Sequence, residues 1–378
     1  MSRLKLIVVA GARPNFMKVG PFIRQVDRYH ESRSARSQPV DALLVHTGQH
    51  YDPNMSDVFF KELGIPRPDI NLGVGSGTHA AQTAGILTSF EAVCERENPD
   101  WVVVVGDVNS TMACTLVCAK MGIRVAHIEA GLRSFDRSMP EEINRLVTDA
   151  LADLLLTPSE DASEHLLREG IAPEKIKLVG NIMIDSLIAN LPESRACGVL
   201  DELDLEPSRF VYVTIHRPAN VDDRLNLETL MAGLKRLSER LPVVFPVHPR
   251  TRKMLAGCRF VPPSGNRMHL LEPLGYHASL CLTENARAVL TDSGGLQEEA
   301  TYFRTPCLTL RPNTERPITM TLGSNRLTRL DRFVCDFDAL LEAPERLGQV
   351  PPLWDGHTAE RVLDALLAAS QVREKRPL

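Results

Sequence analysis

The segment Trp101-Val102-Val103-Val104-Val105 is apolar at every position, so a strand formed there is covered on both faces. A strand with one wet face would alternate. An unbroken apolar run calls for helices on both sides of a parallel sheet. The first half of the chain repeats this theme. Strands are expected at Leu4–Ala10, 42–46, Trp101–Val105, 125–128 and Leu154–Thr157, with helices at 17–30, 55–63, 78–96, 110–121 and 140–152. Ala80, Ala84, Leu87, Phe90 and Cys94 lie along one face of the long helix at 78–96, and Pro140 suits the first turn of its own. The second half runs the same scheme. Strands fall at 210–215, 243–247, 269–271, 288–290 and Cys307–Leu310, and helices at 227–241, Tyr276–Asn285, 296–303 and 337–341. The joint lies near Leu178-Val179-Gly180-Asn181. A last amphipathic helix at 358–370 carries Val362, Leu363, Leu366 and Leu367, which need a partner surface. The pattern predicts an α/β chain of two doubly wound, Rossmann-like halves, with a ligand cleft between them at the carboxyl ends of the strands.

Composition limits the function classes. At 378 residues the chain is long enough for two or three domains, and its 43% hydrophobic content supports large cores. A net charge of −5 gives no electrostatic case for nucleic acid or an anionic membrane, so any phosphate must be held locally. No run of about 18 apolar residues is present, and the start of the chain lacks the apolar core of a signal peptide. The eight cysteines are scattered without a Cys-x-x-Cys, and Cys114 and Cys118 sit four apart on an apolar helix. They read as reduced, buried thiols of a cytoplasmic protein with no metal site.

The residues with chemistry collect just after strands. Asp292-Ser293-Gly294-Gly295-Leu296-Gln297-Glu298-Glu299 leaves an apolar strand and enters a helix. Ser293, Gly294 and Gly295 would let backbone N–H groups and a helix N-terminus approach phosphate, and Glu299 would reach ribose hydroxyls. The same run also reads as a plain Ser-capped turn. Arg13 and Lys18 follow the first strand, Asp107 the strand 101–105, Glu129 the next, and His216 the first strand of the second half. One such residue is ordinarily a cap; five on the same edge are hard to explain by capping. Glu141 and Glu142 open a helix after Pro140, where they would offset its dipole, or one would face the cleft. Several carboxylates in one cleft would push their pKa values apart, leaving one as acid and another as base. Arg316, in Thr314-Glu315-Arg316-Pro317, could fork onto a phosphate or form a surface ion pair. His248 is equally ambiguous. Gly73-Val74-Gly75-Ser76-Gly77 does not fit a dinucleotide fingerprint, and no P-loop is present.

Gly11–Lys18, Thr47-Gly48-Gln49-His50, Gly106–Thr111, His127–Arg133, Pro140–Arg145, His216-Arg217, Glu272-Pro273-Leu274, Asp292–Glu299 and Thr314–Pro317 occur in one order along nearly the whole chain. In that set the chain resembles the non-hydrolysing UDP-N-acetylglucosamine 2-epimerases. The resemblance implies a glycosyltransferase-B-like fold: an N-terminal domain over 1–178, a UDP-binding domain over 179–355, and a helix in 356–378 crossing back to the first. It also implies a homodimer, no cofactor, and a UDP-sugar substrate feeding polysaccharide synthesis. UDP would leave C1 as the C2 proton is lost, giving a 2-acetamidoglucal, and would add back with a proton on the other face. By resemblance Asp107, Glu129 and Glu141 are the carboxylates and His216 assists the departing UDP. Arg13, Lys18, Arg133, Ser293, Gly294, Gly295, Glu299 and Arg316 are substrate contacts, and Leu274 meets uracil through its backbone. Two departures flank the site. Asn15 stands where several relatives have Glu, in Ala12-Arg13-Pro14-Asn15, and Pro218-Ala219-Asn220 lacks the Glu many carry two places after the His-Arg pair. Other readings are the hydrolysing relative that releases free N-acetylmannosamine, a glycosyltransferase of the same fold, and a silent nucleotide-sugar sensor. The full carboxylate set disfavours the sensor, which needs only UDP contacts.

Overall fold

The computed structural model describes residues 3–32, 38–48, 66–258, 260, 267–342, 344 and 346–371. The helix expected at 55–63 lies outside them, as do Gln49 and His50. The chain divides into two compact units. Met1–Ser186 with Pro352–Leu378 form one, and Leu187–Pro351 form the other. The helix Ile182–Ala189 spans the first division, which therefore falls later than residue 178.

Each unit is built on one parallel sheet. In the first, β1 (Leu4–Ala10), β2 (Val40–His46), β3 (Ile70–Asn71), β4 (Trp101–Val105), β5 (Arg124–Ile128), β6 (Leu154–Thr157) and β7 (Ile176–Leu178) lie in the order β3-β2-β1-β4-β5-β6-β7. In the second, β8 (Val211–Thr214), β9 (Val243–Pro246), β10 (Met268–Leu271), β11 (Ala288–Thr291), β12 (Cys307–Leu310) and β13 (Asn325–Thr328) lie in the order β10-β9-β8-β11-β12-β13. Every pairing is parallel. Strand order therefore reverses between β1 and β4 in one unit and between β8 and β11 in the other. Such switch points open a crevice at the carboxyl ends of the strands.

Burial follows the apolar runs. Ile7, Val9, Val102 and Val104 pack on one face with Ile86 and Phe90, while Leu6, Val8, Val103 and Val105 are equally buried on the other. In the second unit Val211, Val213 and Leu290 share a core with Leu230, Leu234, Phe333 and Phe337. Edge strands β3, β7 and β13 escaped the sequence reading because they are short and only partly buried, so they carry little apolar signal.

The first long helix starts at Arg13, earlier than expected, with Pro14 in its first turn, where a missing N–H breaks no bond. Pro21 lies inside that helix and leaves the carbonyl of Met17 without its usual donor; the Ser186 hydroxyl donates to it instead. The final helix, Thr358–Gln371, belongs to the first unit and packs along Arg13–Ser32. Its first turn is capped from a distance by Asp185, which accepts from the N–H groups of Thr358 (3.2 Å) and Ala359 (2.7 Å). Trp101 Nε1 donates to Ser370 Oγ near its end at 2.9 Å.

Candidate active site

In the first unit the register pairs Val105 of β4 with Ile128 of β5, so Asp107 and Glu129 leave neighbouring strands at almost the same level. Gly106, at φ +65°, makes the turn between Val105 and Asp107. A Cβ there would lie 2.9 Å from Lys18 Nζ and 3.4 Å from both Asn15 Nδ2 and Glu129 Oε2. Glycine is thus required twice, for the left-handed backbone and for the space three polar heads occupy. Lys18 Nζ pairs with Glu129 Oε2, and both residues are buried. Glu129 itself has φ +71°, a conformation a side chain of this size rarely adopts.

Asp107 keeps 30% side-chain exposure and meets Arg145, whose guanidinium is buried. Its carbonyl accepts from Asn144 Nδ2 at 2.8 Å. Asp107 and Glu129 thus each face a cation, and opposite charge offsets the cost of burial.

The two glutamates after Pro140 separate cleanly. Glu142 is buried, accepts from Ser134 N, Ser134 Oγ and Phe135 N at 3.0 Å each, and holds Arg145 Nε at 2.9 Å and Nη2 at 2.6 Å. Burial would raise its carboxyl, but these donors outweigh that and leave it below its ordinary value. It is a structural clamp on Arg145. Glu141 is exposed in the same turn. Arg133, expected to contact substrate, is buried with its guanidinium committed to Asp149 (2.7 Å) and Glu169 (2.7 Å). That position suits an anchor rather than a ligand contact. Arg13 opens its helix, and its side chain is outside the described residues.

Asn15 accounts for one departure from the family pattern. Its Oδ1 accepts from Gly11 N (3.1 Å) and Ala12 N (2.9 Å), while Nδ2 donates to Val105 O (3.2 Å). A glutamate could take the two N–H groups but could not donate to Val105.

The second unit builds its site at β8 and β11. The hydroxyls of Thr214 and Thr291 hydrogen-bond across the pair at 2.7 Å. One residue on, Asp292 is fully buried and accepts from His216 N (3.1 Å), Arg217 N (2.8 Å) and Asn220 Nδ2 (3.0 Å). It also meets His216 Nδ1 at 3.1 Å. Burial pushes the Asp292 carboxyl up; His216, Asn220 and the Arg217 amide pull it further down, below its ordinary range. The carboxylate fixes the ring through Nδ1 and leaves Nε2 of the half-exposed His216 for other work. His248 stands with its ring 6.3 Å away; burial, then His216 and Arg250, hold its pKa down. Asn220 follows Ala219, the residue at the second departure, and also donates to Leu310 O at 3.2 Å.

Ser293 caps the helix Gly294–Phe303 without a side-chain bond to it, and its N–H donates to Thr291 Oγ1 at 2.9 Å. Ser293, Gly294 and Gly295 are all partly exposed. Neither glycine has a positive φ; a Cβ at Gly294 would instead come within 2.7 Å of Arg316 Nη1 and 3.0 Å of Glu315 Oε1. The glycine makes room for Arg316 above the helix start. Arg316 is pinned there by Glu298 Oε1 (2.9 Å) and Glu315, which Arg311 also holds at 2.7 Å. Glu299 is buried beside them; burial, reinforced by Glu298 and opposed by a hydrogen bond from Tyr276, pushes its carboxyl up to about 8. Leu274 is partly buried two residues before Tyr276.

Asp292, His127 and Asp149, whose hydrogen bonds hold these turns, were not singled out from the sequence. Only Asp292 had a visible signal, since it sits at a strand end like the others.

The solved structures that match carry the same fold over nearly their whole length. The structure of Methanocaldococcus jannaschii UDP-GlcNAc 2-epimerase in complex with UDP-GlcNAc and UDP is 38% identical, with a TM-score of 0.84 over 97% of this chain and 100% of that one. The UDP-N-acetylglucosamine 2-epimerase of M. jannaschii is 39% identical in sequence over 96% of this chain and 99% of its own. A UDP-2,3-diacetamido-2,3-dideoxy-D-glucuronate 2-epimerase of Pseudomonas aeruginosa is 38% identical over 86% and 88%. Two Rossmann-like units in succession make the fold glycosyltransferase-B-like. The family model described as UDP-N-acetylglucosamine 2-epimerase matches residues 33–367, and the chain belongs to that family.

Proposed function

We propose that the chain is a non-hydrolysing UDP-N-acetylglucosamine 2-epimerase, interconverting UDP-GlcNAc and UDP-ManNAc. The observation that carries this reading is the pair of carboxylates, Asp107 and Glu129, delivered from adjacent strands and each backed by a cation. Epimerisation at C2 needs proton handling on two faces of one carbon. One carboxylate takes the C2 proton as the C2–H electrons form the C1=C2 bond and the C1–O pair leaves with UDP. The diphosphate then adds back to C1, and a proton returns to C2 from the opposite side. Glu141 is proposed as the third carboxylate, from the family pattern. His216, oriented by Asp292, offers an N–H to the charge that builds on departing UDP. Lys18, Ser293, Gly294, Gly295 and Arg316 are proposed phosphate contacts, with Arg13 by resemblance, and Leu274 is proposed for uracil. Glu299, largely protonated below about 8, is suited to ribose hydroxyls. The working form is proposed to be a cytoplasmic homodimer without a cofactor, serving polysaccharide synthesis.

The test is proton NMR of UDP-GlcNAc with the protein in D₂O. Deuterium at C2 of a UDP-linked product supports the reading. A product that keeps its original C2 hydrogen refutes it, and free N-acetylmannosamine as main product moves the chain to the hydrolysing reaction. The near-equal identity of the P. aeruginosa relative favours one second reading, a diacetamido uronate nucleotide as substrate. The C2 chemistry is the same, and comparing kcat/KM for the two nucleotide sugars decides between them.

A further inference from the structure

His127 is fully buried on β5, two residues before Glu129. Its Nδ1 lies 2.6 Å from Asp149 Oδ1 and its Nε2 lies 2.9 Å from the carbonyl oxygen of Gly106. A carbonyl oxygen can only accept. Asp149 is an acceptor too: its Oδ2 takes Gly131 N at 3.0 Å and Arg133 Nη1 at 2.7 Å. Burial would raise the Asp149 carboxyl, but His127 and Arg133 hold it below its ordinary value, as a carboxylate. The Gly106 carbonyl therefore needs a proton on Nε2, and Asp149 fixes the ring from its other nitrogen.

A row of bonded groups then runs through the interior: His127, Asp149, Arg133 and finally Glu169, which is one-third exposed. Asp149 and Arg133 require each other, because either charge buried alone is strongly destabilising. The row also ties together three pieces of backbone. The Gly106 carbonyl belongs to the turn that presents Asp107. Gly131 follows two residues after the strained Glu129. Asp149 shares the helix Pro140–Leu151 with Arg145, which holds the Asp107 carboxylate.

We propose that His127, held between Asp149 and the Gly106 carbonyl, is a positioning residue that sets the Gly106-Asp107 turn against Glu129. It acts through the backbone of Gly106. The role rests on reading Asp107 and Glu129 as the proton-handling pair.

The first test uses the unmodified protein, labelled with ¹⁵N-histidine and examined by NMR near neutral pH. The ring assigned to His127, identified by its shift in Asp149→Asn, should carry a proton on Nε2, bonded to the Gly106 carbonyl. A bare Nε2 overturns the clamp whatever the enzyme does. The second test is kinetic. Displacing catalytic groups by about an ångström can cost ~10²-fold, and His127→Leu should lose turnover on that scale. KM and UDP affinity should change less than about threefold, because loss confined to kcat marks an interaction made in the transition state. His127→Gln keeps a side-chain N–H for Gly106 and should recover part of the loss. Folded His127 variants with parental kcat, or an equal loss in kcat and UDP affinity, would overturn the positioning role. Asp107→Asn is measured alongside. If it is inactive while the His127 variants are not, the positioning role alone fails; if it turns over normally, the underlying reading fails instead.

Discussion

The two switch points solve the problem of holding a charged group differently. Beside the first, at the ends of β4 and β5, the carboxylates proposed to handle protons are met by buried cations, Lys18 for Glu129 and Arg145 for Asp107. At β8 and β11 the buried group is a carboxylate, Asp292, and the working group, His216, stands half in solvent. The first arrangement suits proton transfer at carbon, where a base must stay charged away from water. The second suits stabilising a large anion, where a donor must point outward with its ring fixed from behind. The same strand order thus supports opposite electrostatics, with buried cations behind carboxylates in one unit and a buried carboxylate behind a histidine in the other.

The comparison breaks most visibly at the carboxylates. Asp107→Asn and Glu129→Gln should each lower turnover by ~10²–10⁴-fold, the usual worth of a general acid or base, while UDP titration calorimetry shows binding largely kept. Near-parental turnover in both would make the first switch point purely structural. Next in size, His216→Ala should lower turnover by ~10²-fold, comparable to losing an oxyanion donor, and weaken UDP binding with little change in melting temperature. Asp292→Asn should reduce turnover too, with the ring no longer held through Nδ1. An early-melting His216→Ala whose folded fraction works normally would make the ring a packing group.

Stability sharpens the contrast between neighbours. Glu142→Gln leaves the buried Arg145 without one of its carboxylates, and should destabilise by about 3–5 kcal/mol in urea unfolding. Glu141→Gln, exposed in the same turn, should leave unfolding unchanged and lower turnover alone. If the two variants unfold alike, the assignment of clamp and site residue is wrong.

The last contrast is a pH slope. Glu299 has a folded value of about 8, above the ordinary carboxylate value of 4.5. Between those limits the folded state holds a proton that the unfolded state has released. Stability should therefore be fullest below 4.5 and fall as pH rises through about 8, by at most ~1.4 kcal/mol per pH unit. Glu299→Gln should flatten that part of the profile in denaturant melts at successive pH values. A slope unchanged by the substitution would assign it elsewhere.

Much of the fold was legible because the signals are local. Continuous apolar runs marked β1, β4, β6 and β12 to the residue, and an interior strand of a parallel sheet leaves no other trace in sequence. The edge strands β3, β7 and β13 were missed because they are short and partly wet, whereas β10, also an edge, was read within one residue. At the site, position was legible but partnership was not. Asp107, Glu129 and His216 stood out as polar residues after strands, whereas Glu142, Arg133 and Arg316 turned out to be engaged in buried ion pairs. Arg133 in particular looks no different in sequence from a ligand-binding arginine.

Sequence alone thus determined two parallel, doubly wound units and the edge of each sheet on which the polar residues gather. Periodicity and turn chemistry act over a few residues, and they suffice for that. The tertiary structure decided which charge faces which. Lys18 and Glu129 are 111 residues apart, Arg145 and Asp107 38, His216 and Asp292 76. Such pairs form only once strand order has brought distant turns together. Only then does burial raise the electrostatic stakes enough for each carboxylate to require its partner.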